Sequence, residues 1–263
     1  MYKLGILGLG NMGGSILSGI MKSNLYNKSE IIVYDLDFAK VNKYFDLGIS
    51  VANDINELIN NSEIILLAIK PQNINNLVLN YNQSNLNIIS IVAGKTINDL
   101  TSVFGNGNYI RVMPNTPSLI GEGTTVIAVN EQTDSKLLGE TIKIFNSIGL
   151  VETISDKLIN EVIPLNGSMP AYLYYFIKCF VNKAKELGFG EEQAKQLVAN
   201  SIIGSAHMVL KSNKDIDRLI QDVCSPGGAT LKGIEVLDNS NLQKTIDNVC
   251  DSCIKRAYEL STK

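Results

Sequence analysis

Six residues near the amino terminus, Gly8-Leu9-Gly10-Asn11-Met12-Gly13, carry the first chemical signal in this chain. Three glycines at this spacing suit a dinucleotide pyrophosphate. Gly8 permits a tight turn, Gly10 lets the backbone approach the phosphates, and Gly13 lets the following helix pack closely on the preceding strand. The first amides of that helix would face the phosphate charge. Asp35 follows some twenty residues later, at the end of Ile32-Val33-Tyr34-Asp35. An acid there accepts hydrogen bonds from the adenosine ribose of NAD and repels a 2′-phosphate. The next residues, Leu36-Asp37-Phe38-Ala39-Lys40, include no Arg, and Lys40 falls inside the next helix. This local chemistry favours NADH over NADPH.

Three further segments have the types and placement to contact ligands. Ala68-Ile69-Lys70-Pro71 and Val112-Met113-Pro114-Asn115-Thr116-Pro117 follow strand-like runs. Ligands of open α/β sheets bind outside the carboxyl ends of strands. Ala68, Lys70, Pro71, Pro114 and Asn115 are therefore candidates for the nicotinamide end of a dinucleotide, and the prolines would also stiffen their loops. Ser225-Pro226-Gly227-Gly228-Ala229-Thr230 opens a helix, so its free amides suit a carboxylate. No metal set is legible. His207 is the only histidine, sits in an apolar helical run, and reads as a packed or interface residue. Cys250 and Cys253 fall within one helical pattern and lack further zinc ligands, so Cys179, Cys224, Cys250 and Cys253 read as reduced thiols of a cytoplasmic protein.

The elements that must hold these residues alternate in the first half. Apolar runs at 3–7, 31–34, 64–69, 88–92, 109–113 and 125–129 read as strands of a parallel sheet, buried on both faces because they are continuously rich in Ile, Val and Leu. Helical segments such as 15–22, 38–45 and 55–60 lie between them, which makes a βαβ series and a doubly wound sheet. From about Ser155 the strand-like runs stop. Helical patterns follow at 170–187, 191–211, 215–224, 229–237 and 242–260. The expected architecture is a Rossmann-type dinucleotide-binding domain over 1–154 and an all-helical substrate and dimerisation domain over 155–263. The helices carry more apolar surface than a segment of that size buries alone, which predicts a homodimer.

Composition fits this reading. A length of 263 residues, 45% hydrophobic and 19% charged, is an ordinary globular balance. A net charge of −3 gives no electrostatic reason to expect nucleic acid or an anionic membrane as partner. No run approaches the ~20 apolar residues of a membrane span, and the first residues enter a strand at once, without signal-peptide architecture.

Over essentially its whole length the chain resembles the pyrroline-5-carboxylate reductase family. The resemblance rests on Gly8 to Gly13, Ala68-Ile69-Lys70-Pro71-Gln72, Arg111-Val112-Met113-Pro114-Asn115-Thr116-Pro117, Gly167-Ser168-Met169-Pro170-Ala171-Tyr172 and Ser225 to Thr230. It implies reduction of a cyclic imine by NADH or NADPH, commonly NADPH in the family, as the final step of proline biosynthesis. It implies that Thr230 lies within hydrogen-bonding reach of the imine nitrogen, and that Ser225, Gly227, Gly228, Ala229 and Ser168 hold the substrate. It also implies an interleaved dimer, and some members stack dimers into decamers. Two departures stand out. The family pattern Ser-Gly-Ser-Gly-Pro-Ala-Tyr is here Asn166-Gly167-Ser168-Met169-Pro170-Ala171-Tyr172, and Lys178 stands where the next helix usually carries Glu.

Two other functions remain open on the residues. A β-hydroxyacid dehydrogenase shares the opening motif and uses a helical Lys with an Asn four residues on, the spacing of Lys178 and Asn182. Its glycine-rich run before that Lys is absent, and the Ser225 to Thr230 loop has no role there. A dinucleotide-binding paralogue without turnover is motivated by Asn166 and Met169, and opposed by the intact Thr230.

Overall fold

The computed structural model describes residues 1–261, and two compact units emerge. The first comprises Met1–Pro170 with the chain from Cys253 onward, and the second is Ala171–Ser252.

The first unit is built on an eight-stranded sheet of β1 (Tyr2–Leu7), β2 (Ile31–Tyr34), β3 (Ser50–Val51), β4 (Ser62–Leu67), β5 (Leu86–Ser90), β6 (Gly107–Pro114), β7 (Gly123–Val129) and β8 (Gly149–Ser155). The order is β3-β2-β1-β4-β5-β6-β7-β8. The connecting helices are α1 (Asn11–Ser23), α2 (Phe38–Phe45), α3 (Ile55–Asn60), α4 (Pro71–Ile74), α5 (Ile97–Phe104) and α6 (Ser135–Asn146). Alternate strand residues feed two cores, one on each face. Leu4, Ile6, Val33 and Leu66 pack with Ile16, Leu17 and Phe145, whereas Leu7, Ile32, Ile65 and Leu67 pack with Leu58, Leu100 and Phe104. Because both faces are covered, the central strands show no polar alternation in sequence.

The sheet departs from the all-parallel expectation at one pair. β6 and β7 are antiparallel, with Pro114 opposite Thr125 and Arg111 opposite Ala128. Only residues 115–122 connect them, too few for the crossover that a parallel neighbour needs. They fold instead into a 3-10 turn over Thr116–Ile120 that reverses the chain. Strands β3 and β8 were not legible in sequence. The first is two residues long, and the second is a half-exposed edge with Leu150 and Glu152 facing solvent.

Sequence places the domain boundary at 154/155, where strand-like runs end, but the first compact unit continues to Pro170. Polar ties hold this stretch down. Arg111 pairs with Asp156 at 2.7 Å, and the Asn166 side chain donates to the Met113 carbonyl at 2.7 Å. Ser168 Oγ meets Cys253 Sγ at 3.5 Å, so the last helix returns to this unit.

The second unit is helical throughout its regular structure. It holds α7 (Met169–Glu186) from Ala171 on, α8 (Glu191–Lys211), α9 (Ile216–Val223), α10 (Ala229–Asn239) and α11 (Leu242–Ser261) as far as Ser252. Gly188 ends the α7 turn with φ +93°, a left-handed conformation that suits glycine. Much apolar surface stays uncovered in the single chain. Phe176, Phe180, Leu197 and Val209 border an open groove of about 700 Å³ formed by α7 and α8. His207, expected to be a packed or interface residue, is exposed on α8 in the single chain. Among the described residues, no helix is long and apolar enough to cross a membrane.

Candidate active site

The glycine-rich segment folds as its spacing requires. Gly8 leaves β1 with φ +102°, a conformation that side chains rarely adopt, and a Cβ there would lie 2.5 Å from the Ala68 carbonyl oxygen. Its amide donates to the Tyr34 carbonyl at 2.8 Å, while the Ala68 amide donates to Leu7 at 2.8 Å. The loop is thus pinned between the ends of β2 and β4. At Gly13 a Cβ would stand 2.1 Å from the Gly8 carbonyl oxygen, so α1 could not start this close to the strand with any other residue. Gly10 differs: nothing lies within 4 Å of where its Cβ would be.

That open space lies at the start of α1, whose N-cap is Gly10 with no side-chain cap and no acidic residue in the first turn. The first amides therefore have no protein acceptor competing for them, and an anion is their natural partner. The residues present fit a dinucleotide pyrophosphate here.

Asp35 stands at the end of β2 with its side chain mostly buried, and one of its oxygens accepts from the Leu9 amide at 2.6 Å. The other accepts from Asp37 N at 2.8 Å. Lys40 on α2 comes within 3.9 Å of the same carboxylate and 3.3 Å of Asp37. Lys40 lies inside α2, as its sequence position implies. Its i, i+3 relation to Asp37, the N-cap of α2, holds it beside the two carboxylates.

At the carboxyl ends of β5 and β6 a cavity of about 370 Å³ opens between Met12, Val92 to Lys95, Met113, Pro114, Gly167 and Ser168. Pro114 and Ser168, both singled out from sequence, therefore share one wall system. Ala68 is half-buried at the end of β4, Lys70 is exposed as the N-cap of α4, and Pro71 begins that helix. Asn115 is 9% exposed, and its side chain is turned inward. Its Oδ1 accepts from Thr124 N at 2.9 Å, and its Nδ2 donates to Asn166 Oδ1 at 3.1 Å. Sequence reasoning did not find Asn166 as a partner of this loop. The visible signal was its departure from the family pattern.

In the second unit, Ser225 to Gly228 form a turn closed by the Gly228 amide donating to the Ser225 carbonyl at 2.9 Å. Pro226 and Gly227, with φ +71° at Gly227, are the residues that a type II turn demands at its two central positions. Gly228 then serves as the N-cap of α10 without a side-chain cap, leaving the amides of Ala229 and Thr230 open. Thr230 is exposed in the first turn of this helix. Lys178 is exposed on α7.

A pinned glycine turn, an uncapped helix start, an acid closing the second strand and a cavity at the strand ends define a Rossmann-type nicotinamide-dinucleotide oxidoreductase. The chain is 33% identical to pyrroline-5-carboxylate reductase of Escherichia coli over 98% of both chains. It belongs to the pyrroline-5-carboxylate reductase family. Residues 156–260 match the model for pyrroline-5-carboxylate reductase dimerisation, and residues 3–94 match that described as NADP oxidoreductase coenzyme F420-dependent. The pea enzyme of the same name is 29% identical, with 99% of this chain and 96% of that one covered. Among solved structures, a pyrroline-5-carboxylate reductase from Coxiella burnetii superposes with TM-score 0.88 at 28% identity, covering 99% and 98% of the two chains. The Plasmodium falciparum pyrroline carboxylate reductase with NADP bound gives 0.84 at 28% identity over the same shares.

Proposed function

We propose that the chain reduces 1-pyrroline-5-carboxylate to L-proline with NAD(P)H, the final step of proline biosynthesis. The observation that carries this reading is the intact Ser225–Thr230 loop, a type II turn feeding an uncapped helix, in a chain similar to its named relatives from end to end. Uncapped amides of Ala229 and Thr230 suit the substrate carboxylate. The turn residues Ser225, Gly227 and Gly228 set the direction of those amides, and Ser168 adds a hydroxyl. Gly8 to Gly13, Ala68, Pro71, Pro114 and Asn115 would hold the dinucleotide, which when bound would supply hydride to the imine carbon, with solvent supplying the proton at nitrogen. An imine accepts hydride when its nitrogen is protonated or hydrogen-bonded. Thr230 supplies the hydrogen bond, since a hydroxyl is too weak an acid to do more than orient or donate at neutral pH.

NADH is the preferred reductant in this reading, because Asp35 closes the second strand. Lys40 beside it reduces that preference without reversing it. The functional division falls after residue 154, with 155–263 as the substrate and dimerisation domain; the family match from residue 156 supports it. The active form is a homodimer, from which decamers arise by stacking as in some family members. The exposed apolar groove of α7 and α8 supports a protein partner for that face. Four free cysteines suit the reducing cytoplasm.

The test is oxidation of NADH and NADPH, followed optically, with pyrroline-5-carboxylate, beside NAD reduction with a panel of 3-hydroxyacids. Imine-dependent oxidation alone is expected. Turnover of a hydroxyacid without imine reduction would replace this reading by the dehydrogenase one.

A further inference from the structure

We infer that Asn166 is a positioning residue that sets the spacing between the nicotinamide-facing and substrate-facing walls of the cavity, and this rests on the function proposed above. Asn166 is 4% exposed and does not line the cavity itself. It stands behind the junction of two walls that do, Met113-Pro114 from β6 and Gly167-Ser168 from the segment before α7.

The hydrogen bonds across this junction form a directed relay. The Thr124 amide donates to Asn115 Oδ1 at 2.9 Å, Asn115 Nδ2 donates to Asn166 Oδ1 at 3.1 Å, and Asn166 Nδ2 donates to the Met113 carbonyl at 2.7 Å. Both ends are backbone groups of fixed polarity, an N–H on β7 and a C=O on β6. They dictate how each amide is turned, so neither is free to flip. A side chain at 166 must therefore accept on one atom and donate from another about 2 Å away. The serine usual in the family has one oxygen and a shorter reach, so it cannot span both partners in the same way. The Asn166 side chain joins the two walls directly through the Met113 carbonyl, so a shift at Asn166 passes to Met113 on one side and along the chain to Gly167 and Ser168 on the other.

One chemical property separates this role from mere packing. A protonated carboxylic acid has the same shape and the same donor–acceptor pair as an amide, whereas a carboxylate only accepts. Burial raises the pKa of a carboxyl group. Asn166→Asp should break the relay when ionised and restore it when protonated.

The experiment measures two quantities on Asn166→Asp, Asn166→Ala and the unaltered protein between about pH 6 and 8. One is the fluorescence of bound reduced dinucleotide at saturation, which reports the nicotinamide environment. The other is kcat with pyrroline-5-carboxylate, well below each protein's Tm. Asn166→Ala should lose at least about tenfold in kcat with Kd for the dinucleotide changed less than about threefold, because the glycine turn that holds the other end is untouched. Asn166→Asp should match it at the high end and recover both signals toward the unaltered protein as pH falls. A pH response of Asn166→Asp identical to that of the unaltered protein would overturn the proposal. So would normal kcat and fluorescence in Asn166→Ala with only a lower Tm. Should the unaltered protein fail to reduce the imine, the proposed reaction falls, and the fluorescence of bound dinucleotide still decides the role of Asn166.

Discussion

Asp35 Oδ2 lies 2.6 Å from the backbone nitrogen of Leu9, so the acid that closes the second strand also braces the glycine turn. The carboxylate thus holds the loop, and in the proposed function it also selects the ribose. Replacing it disturbs both.

Asp35→Ser should therefore raise the KM for NADH while lowering the ratio of NADPH to NADH KM. Two like charges ~5 Å apart at an effective dielectric of 20 repel by about 3 kcal/mol before screening, and a third of that is still several-fold in affinity. Lys40, 3.9 Å from the carboxylate, offsets part of this in the unaltered protein. Steady-state KM for both reductants at physiological salt checks the ratio. A lower KM for NADPH than for NADH in the unaltered protein would show that Lys40 outweighs Asp35.

Thr230→Ala should reduce kcat by about 10- to 100-fold, the range for one lost hydrogen bond to a reacting atom. Binding of the dinucleotide should hardly change, because its proposed contacts are elsewhere in the chain. Unaltered kcat and kcat/KM would remove Thr230 from the mechanism.

Lys178→Met separates the two oxidoreductase readings. Lys178 is exposed on α7, with Asn182 one turn further on. Imine reduction should persist in the mutant. A collapse in rate with an unchanged Tm would restore a helical lysine as acid and base.

Gly13→Ala should abolish dinucleotide binding or fold poorly. Its Cβ would meet the Gly8 carbonyl oxygen at 2.1 Å, where the backbone must shift, and overpacking of this kind costs about 1–3 kcal/mol or more. Gly10→Ala is the informative companion, since its Cβ meets no protein atom. That variant should keep its Tm and lose affinity for the dinucleotide, as measured by fluorescence titration.

The parts of the fold that were legible are those whose sequence pattern follows from burial alone. β2 at Ile31–Tyr34 and α2 at Phe38–Phe45 fall where their apolar runs place them. β8 was invisible because an edge strand carrying Glu152 and Thr153 need not look apolar. The reversal between β6 and β7 depends on the length of a turn, not on the strands themselves. In the candidate site, the roles of Gly8 and Gly13 could be read from spacing, because each glycine answers to its own backbone. Asn166 could not, since its meaning depends on Asn115 and Met113, more than fifty residues away in sequence.

The return of the last helix to the first unit means that the helical unit is an insertion, not an appendage. Ser168 meets Cys253, Gly94 faces Leu260, and Ala257 is 8% exposed, so the described end of the last helix belongs to the same body as the first strand. The dinucleotide-binding body is therefore completed only by residues that follow the whole helical segment in the chain.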